Sequence, residues 1–379
     1  MDFTLPESAT DVQGLVRDIA TTLSTPERAA ELEAAAAPID ADLWRELGTA
    51  GLLGLEIPST LVGESGGDLS AVENCVAAEE LGRTLARVPF GPHAIAALPV
   101  LAARADESLR ERILAAAAAG TTVLTVAFEE DLGPDATTPT ATLSADGRLS
   151  GVKVNVPYAE AADLFVVNAI GPDGAVAVAV PADDPGVRVT TAVSTGLLPI
   201  AEVEFADVAV TSDAVLAGGV DAVTNIANRL ALAVCAEQTG IVSRALELTA
   251  EYAREREQFG RAIGSFQAVA QRLADGYIDV QGLSLTTTQA AWLLANADDD
   301  THGVSDADLR TAIATAKFWA AETGHRVAHT TVHVHGGVGL DTSHPVHRYF
   351  LRAKQNEFTA GNLPASLRTI GTALAAAPV

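Results

Sequence analysis

Thr121-Thr122-Val123-Leu124-Thr125-Val126-Ala127-Phe128 is where the chain changes character. Upstream, from Asp11 to about Ala119, Ala, Leu and Glu recur at three- and four-residue spacing, broken by Pro38, Pro58, Gly66-Gly67 and Pro89 to Pro92. That period is helical. From Thr121 to about Leu216 short Val- and Thr-rich runs take over: Val152 to Val156, Leu164 to Ala169, Ala175 to Val180 and Ala201 to Phe205 all read as strands. Asp146-Gly147 and Asp173-Gly174 fall between such runs and read as hairpin turns. No stretch between them is long enough for crossover helices, so the expectation is an antiparallel β domain. Beyond Val220 the pattern is helical again, with Ile226, Leu230, Val234, Ile241, Ala245, Leu248 and Tyr252 on one face. A face apolar for so many turns suits a bundle. The helices predicted next span Ser265 to Ala297 and Ser305 to Val334, separated by the acidic turn Asp298 to Gly303. The fold expected is α+β: an N-terminal helical domain (1–120), a middle antiparallel β domain (121–216) and a C-terminal four-helix-bundle domain (217–379).

Twenty-four Lys+Arg face 49 Asp+Glu, a formal charge of −25. Duplex binding draws on clustered basic residues, so nucleic acid is excluded as a main partner. Cys75 and Cys235 stand far apart, which leaves neither a disulfide framework nor a zinc ribbon. The start has no basic segment leading into an apolar core, and no uncharged apolar run reaches the length of a membrane span. A cytoplasmic protein is expected.

His325, His329 and His333 are spaced by four and share a helix face, an arrangement that can hold zinc. No Asp or Glu lies between Glu322 and Asp341 to complete a ligand set, so no metal is expected. His335-Gly336-Gly337-Val338-Gly339 follows that helix without a preceding strand or a following Gly-Lys, and phosphate-loop readings fail on context. Arg256-Glu257-Gln258-Phe259-Gly260 and Ile263-Gly264-Ser265-Phe266-Gln267 read alone as a helix end, a glycine turn and a new helix.

Together, and in this order, these pieces resemble the acyl-CoA dehydrogenase family. The likeness runs over nearly the whole chain: R-x-Q-F-G-x-x-I-x-x-F-Q from Arg256, H-G-G-x-G from His335, His347-Arg348-Tyr349, and upstream Leu43 to Leu47, Gly54 to Pro58 and Glu79-Glu80-Leu81-Gly82-Arg83. The resemblance implies FAD, an acyl-CoA thioester and an electron-transfer flavoprotein or similar acceptor. In such enzymes a carboxylate removes the α-proton while the β-hydride passes to the flavin. That chemistry needs a Glu in a dry pocket, where desolvation raises its pKa.

The chain departs from the family at that point. Where many members carry an E-G-[ST] base, Thr359-Ala360-Gly361-Asn362 puts Ala360. Where others draw the base from the first helix of the last domain, Leu230 stands, and no acid occurs from Ala222 to Ala236. Glu237 lies about two turns on, a poor substitute. No catalytic residue is therefore assigned. The flavin-facing T-E-P-x-x-G-S-D loop is Phe128-Glu129-Glu130-Asp131-Leu132-Gly133-Pro134-Asp135, which is expected to add negative charge where the flavin would approach. The Trp and Thr that contact the ring in K-x-W-I-T-N-G are Asn155 and Pro157, and proline lacks a backbone donor.

The groups that the family lends across a dimer interface to a neighbour's FAD are kept. Arg256, Gln258, Phe259, Gln267, Gly336 and Gly337 match that cofactor-binding set, with His333 where Gln is commoner. Arg suits a pyrophosphate because its planar fork pairs two oxygens. The combination resembles the non-catalytic subunit of α2β2 acyl-CoA dehydrogenases of actinobacterial sterol side-chain degradation. It implies a paralogous partner subunit, a shared FAD and an acyl-CoA substrate such as a steroid side-chain thioester. Two other readings fit less well: a flavin monooxygenase-like member of the same fold, against which Asn155 and Pro157 count, and a flavin-free scaffold, against which Arg256 counts.

Overall fold

The computed structural model describes residues 3–131, 135–297 and 301–376, and of Val193 the backbone only. Helices α1 (Glu7–Leu23), α2 (Pro26–Ala34), α3 (Ala41–Thr49), α4 (Ser59–Val62), α5 (Ala71–Arg83), a π-helical segment Gly91–Ala97, α6 (Leu98–Arg104) and α7 (Glu107–Ala118) come first. Strands β1 (Leu124–Ala127), β2 (Thr142–Leu143), β3 (Arg148–Pro157), β4 (Leu164–Gly171), β5 (Gly174–Pro181), β6 (Val187–Val193) and β7 (Pro199–Ala209) follow. The last part holds α8 (Val220–Glu255), the small hairpin β8 (Glu257–Gln258) and β9 (Arg261–Ala262), α9 (Gln267–Ala295), α10 (Asp306–His335), α11 (Val346–Phe358) and α12 (Leu363–Ala376). The fold is α+β with helical, β and helical parts, as expected. The acidic turn anticipated at Asp298 to Gly303 falls partly outside the described residues. Among them, no helix is long and apolar enough to cross a membrane.

Helix limits follow local chemistry. Ser70 opens α5 and Ser305 opens α10 with capping boxes closed by Glu73 and Asp308, which satisfy otherwise orphaned amides. Along α8, Ile226, Val234, Ile241 and Ala245 are buried, and its neighbours are α5, α9, α10 and α11. At the α5–α8 crossing a Cβ on Gly240 would lie 1.9 Å from the Glu79 carbonyl oxygen, and one on Gly82 2.3 Å from that of Glu237. Only glycine lets the two helices lie this close.

The sheet corrects one expectation. Its strands run in the order β1-β4-β2-β3-β7-β6, with β5 also on β4. Most pairings are antiparallel, but β1 runs parallel to β4 from Leu124↔Leu164 to Ala127↔Val167, and β2 meets β4 parallel at Thr142↔Ile170. No crossover helix is needed. The return path from β1 to β4 is built from β2, β3 and a short 3-10 turn, Ala159–Ala161. Gly147 and Gly174 carry positive φ in the two hairpin turns, as read.

One buried histidine bolts the first helical part to the sheet. His93, 0% exposed, receives the Leu124 amide on Nδ1 at 3.0 Å, so its proton sits on Nε2, which donates to the Ala117 carbonyl at 3.0 Å. Burial lowers its pKa from 6.5 to about 4. Above pH 6.5 the neutral ring costs nothing. As pH falls from 6.5 toward 4 the unfolded chain takes a proton that the native ring refuses. Stability is expected to drop by about 3 kcal/mol across that window. Urea unfolding at stepped pH, wild type against His93→Gln, checks this: the variant loses that part of the pH dependence.

Candidate functional site

An open cleft of about 1770 Å³ lies where α5, the Gly91–Ala97 segment, the ends of β1, β3 and β7, α8, α11 and α12 meet. Both positions from which the resemblance draws a base line it, and neither carries an acid. Leu230 is half-buried against the apolar core, and Ala360, just past α11, has a left-handed φ of 54°.

The carboxylates that do line the cleft are engaged. Glu237 accepts from Arg352 at 2.6 Å and from Asn356 at 3.2 Å. Glu129, on the rim, accepts from the Asn155 amide at 2.7 Å, and the surrounding protein raises its pKa despite that bond. Glu130 corrects the sequence reading. It is not a bare charge facing a ligand but is 6% exposed and inside the β domain. Its carboxylate takes Lys153 Nζ at 2.6 Å, the Thr140 amide at 2.6 Å and hydroxyl at 2.7 Å, and the Ala141 amide at 3.0 Å. Burial pushes its pKa up, but these donors outweigh burial and hold it at about 2. Of its two acidic neighbours, Glu129 lines the cleft, with no cation paired to it among the described residues. Leu132 to Pro134 of the same loop lie outside the described residues.

Asn155 and Pro157 both line the cleft. A bulge in the β3–β7 pairing between Lys153 and Val156 places Asn155 at φ 52° and turns its amide to Glu129. Pro157 has no amide hydrogen, and its carbonyl accepts the Thr125 hydroxyl at 2.6 Å.

The other predicted residues gather at one end of the helical bundle. The α8 chain leaves through the β8–β9 hairpin into α9, and α10 returns antiparallel to that same end. Tyr252 on α8 stacks on His335 of α10 with centroids 4.4 Å apart, fastening the two helix ends. Arg256, Gln258, Phe259, Gln267, His333, Gly336 and Gly337 are all exposed here. Phe259, at the hairpin tip, is 92% exposed. Phe266 braces the hairpin from beneath, with Arg261 4.1 Å over its ring and Phe259 edge-on at 6.1 Å. Arg256 makes no ion pair among the described residues. Gly336, whose amide donates to the Val332 carbonyl at the end of α10, has φ 61°, and neither it nor Gly337 has a heavy atom within 4 Å of where a Cβ would stand, so a ligand can approach the backbone here without meeting a side chain.

The three spaced histidines do not converge on a common point. His325 and His329 have centroids 4.5 Å apart, His325 lies 3.1 Å from Lys354 Nζ, and His333 points to solvent. No group of three or more His, Cys, Asp or Glu is placed to hold a metal among the described residues. Cys75 and Cys235 are buried free thiols, and burial pushes Cys235 up to about 12.

Sequence reasoning missed the polar strut along the cleft wall. The loop from β6 to β7 is held by Arg352 Nε on the Gly196 carbonyl (3.2 Å), Gln355 on the Gly196 amide (2.9 Å) and Arg87 on the Leu197 carbonyl (2.9 Å). Only the four-residue step from Arg348 to Arg352 on α11 hinted at it.

Known proteins share this arrangement. Residues 6–121 match the family model for the acyl-CoA dehydrogenase N-terminal domain, and residues 217–375 that for the C-terminal domain. Acyl-CoA dehydrogenase FadE27 of Mycobacterium tuberculosis is 45% identical over 381 aligned residues, covering 100% of both chains. A chain in the crystal structure of the ChsE4-ChsE5 complex from Mycobacterium tuberculosis superposes with a TM-score of 0.92 at 43% identity, covering 100% of each. A structure of a variant of the Tcur3481-Tcur3483 steroid ACAD gives 0.89 at 37%, covering 98% of this chain and 99% of that one.

Proposed function

The chain belongs to the acyl-CoA dehydrogenase family, and from that premise we propose that it is the subunit without a base in a heteromeric FAD-dependent acyl-CoA dehydrogenase. One observation carries the reading: the two ends of its FAD-related surface have opposite fates. In the cleft, both base positions are apolar, the Asn155 amide is tied to Glu129, and Pro157 has no donor. A flavin ring does not fit those groups. At the bundle end, Arg256, with no ion pair among the described residues, stands with Gln258, Gln267 and two glycines whose backbone no side chain crowds, a set that suits a pyrophosphate and its nucleotide. FAD bound there would supply the oxidant for a partner's substrate. This chain's own part is to bind and orient its nucleotide end.

The partner is a paralogous subunit, in an α2β2 assembly, and the substrate an acyl-CoA with a steroid side chain. The heteromeric and steroid descriptions of the two structural neighbours support both points. Electron-transfer flavoprotein or a similar carrier would reoxidise the flavin.

Co-expression with a paralogue tests the proposal. The purified complex is expected to hold one FAD per heterodimer, and Ala360→Glu is expected to leave turnover per complex unchanged. Full flavin occupancy and turnover from this chain alone, or a doubling of activity in Ala360→Glu, would refute it.

A further inference from the structure

At the β6–β7 loop three arginines meet around a cavity of about 20 Å³. Arg87, Arg348 and Arg352 line it together with Glu33, Gly196 and Leu197. These residues come from all three parts of the fold: Glu33 and Arg87 from the N-terminal helical part, the loop from the sheet, and the other two arginines from α11. Arg348 is forked onto Glu33 at 2.7 and 2.8 Å. Arg352 is paired with Glu237 at 2.6 Å and is 4% exposed. Arg87 has only carbonyl partners, Ala37 at 2.8 Å and Leu197 at 2.9 Å, and no carboxylate among the described residues. Three guanidiniums thus share two carboxylates, which leaves one positive charge uncompensated.

Donors are left over as well as charge. The bonds above use Nε and Nη1 of Arg87 and Nε and Nη2 of Arg348, so Arg87 Nη2 and Arg348 Nη1 have no hydrogen-bond partner among the described residues. Both donors are reachable from the cavity and free to bind, and one anion there would also offset the unmatched charge. Burial, and repulsion from Arg352, already lower the Arg87 pKa.

We propose that this cavity is a binding site for one small monovalent anion of halide size, held between Arg87 and Arg348. The room allows about one water-sized particle, which excludes phosphate, sulfate and carboxylate ligands. Bound there, the anion neutralises the cluster that holds Gly196 and Leu197. The same loop presents Ser194, Thr195 and Leu198 to the cleft. Anion occupancy therefore stiffens one cleft wall and joins the three parts of the fold. The site does not depend on the role assigned to the chain above.

Bromide tests it, because it scatters anomalously and substitutes for chloride. Crystals of the full chain in bromide are expected to show an anomalous peak in this cavity. In solution, replacing gluconate by chloride or bromide is expected to raise Tm. Arg87→Met should abolish both effects, but it also loses two carbonyl contacts and can fail to fold. Glu33→Gln guards against that outcome. It removes a negative charge from the rim, so halide affinity, read from the dependence of Tm on concentration, should tighten roughly tenfold. A bridging water would be indifferent to that change. An ordered water without anomalous signal, halide present in the crystal with no effect on Tm, or unchanged halide affinity in Glu33→Gln would each overturn the proposal.

Discussion

Arg256→Ala, made in the assembled heteromer, is expected to release most of the FAD while the complex stays intact on gel filtration. Arg256 follows the last residue of α8, is exposed, and forms no ion pair among the described residues, so none of them requires its charge. A fork-to-phosphate contact comprises charge-assisted hydrogen bonds, and losing it costs about 2–3 kcal/mol. That corresponds to roughly 30- to 150-fold in the Kd for FAD. Equilibrium dialysis or flavin fluorescence reads the change directly. Arg256→Lys should recover only part, since an ammonium is a point charge without the fork. Arg254→Ala, two residues upstream and also exposed, serves as the control and should retain flavin. Equal loss from both variants would make the effect one of general surface charge and would contradict the assignment. So would unchanged retention in Arg256→Ala.

The contrast between these two arginines is not visible in local sequence, because both sit in the same charged run. What separates them is where the helix stops: Arg254 is in the last turn of α8, whereas Arg256 caps it with extended backbone. Other features were legible for simple physical reasons. The helical period from Asp11 to about Ala119 is legible locally, and within it Ser70 and Glu73 cap Ala71–Arg83. The bundle-end residues are grouped in the sequence by the family resemblance, and the helix connectivity, which returns α10 to the start of α9, brings them to one end of the bundle.

Features that depend on distant pairing could not be read. The parallel register of β1 on β4 joins segments about 40 residues apart, and nothing within either strand encodes it. Strand β6 was missed because its residues from Val187 to Ala192 are half-buried or exposed, so its sequence lacks an apolar run. Glu130 was misjudged for a related reason. Its neighbours Glu129 and Asp131 made it look like one more surface acid, whereas its partner lies 23 residues away on a bulged strand that breaks strict alternation. The charge of −25 is thus a poor guide to the potential inside the cleft. One of the acids counted there is neutralised by one of only three lysines in the chain.

That lysine carries the second large effect. Lys153→Met is expected to destabilise the protein by about 3–5 kcal/mol, the range found when one partner of a buried ion pair is removed. Lys153 is 0% exposed and joins Glu130 at 2.6 Å to Asn168 at 2.7 Å, so it ties the loop after β1 to β3 and β4. Methionine fills most of the volume, and the loss is therefore electrostatic rather than a cavity. Wild-type Glu130, held at about 2 against an ordinary 4.5, contributes stability that is present above pH 4.5 and lost as pH falls toward 2. Without Lys153, burial dominates, the pKa of Glu130 rises, and the acid-induced loss should begin at higher pH. Adding Glu130→Gln to Lys153→Met removes the stranded charge and should recover part of the stability, measured by urea unfolding at pH 7 and pH 4. If the single variant matched wild type at both pH values, the Glu130–Lys153 pair would not be the internal bolt of the β domain. Glu130 would then again have to be counted among the acids facing the cleft.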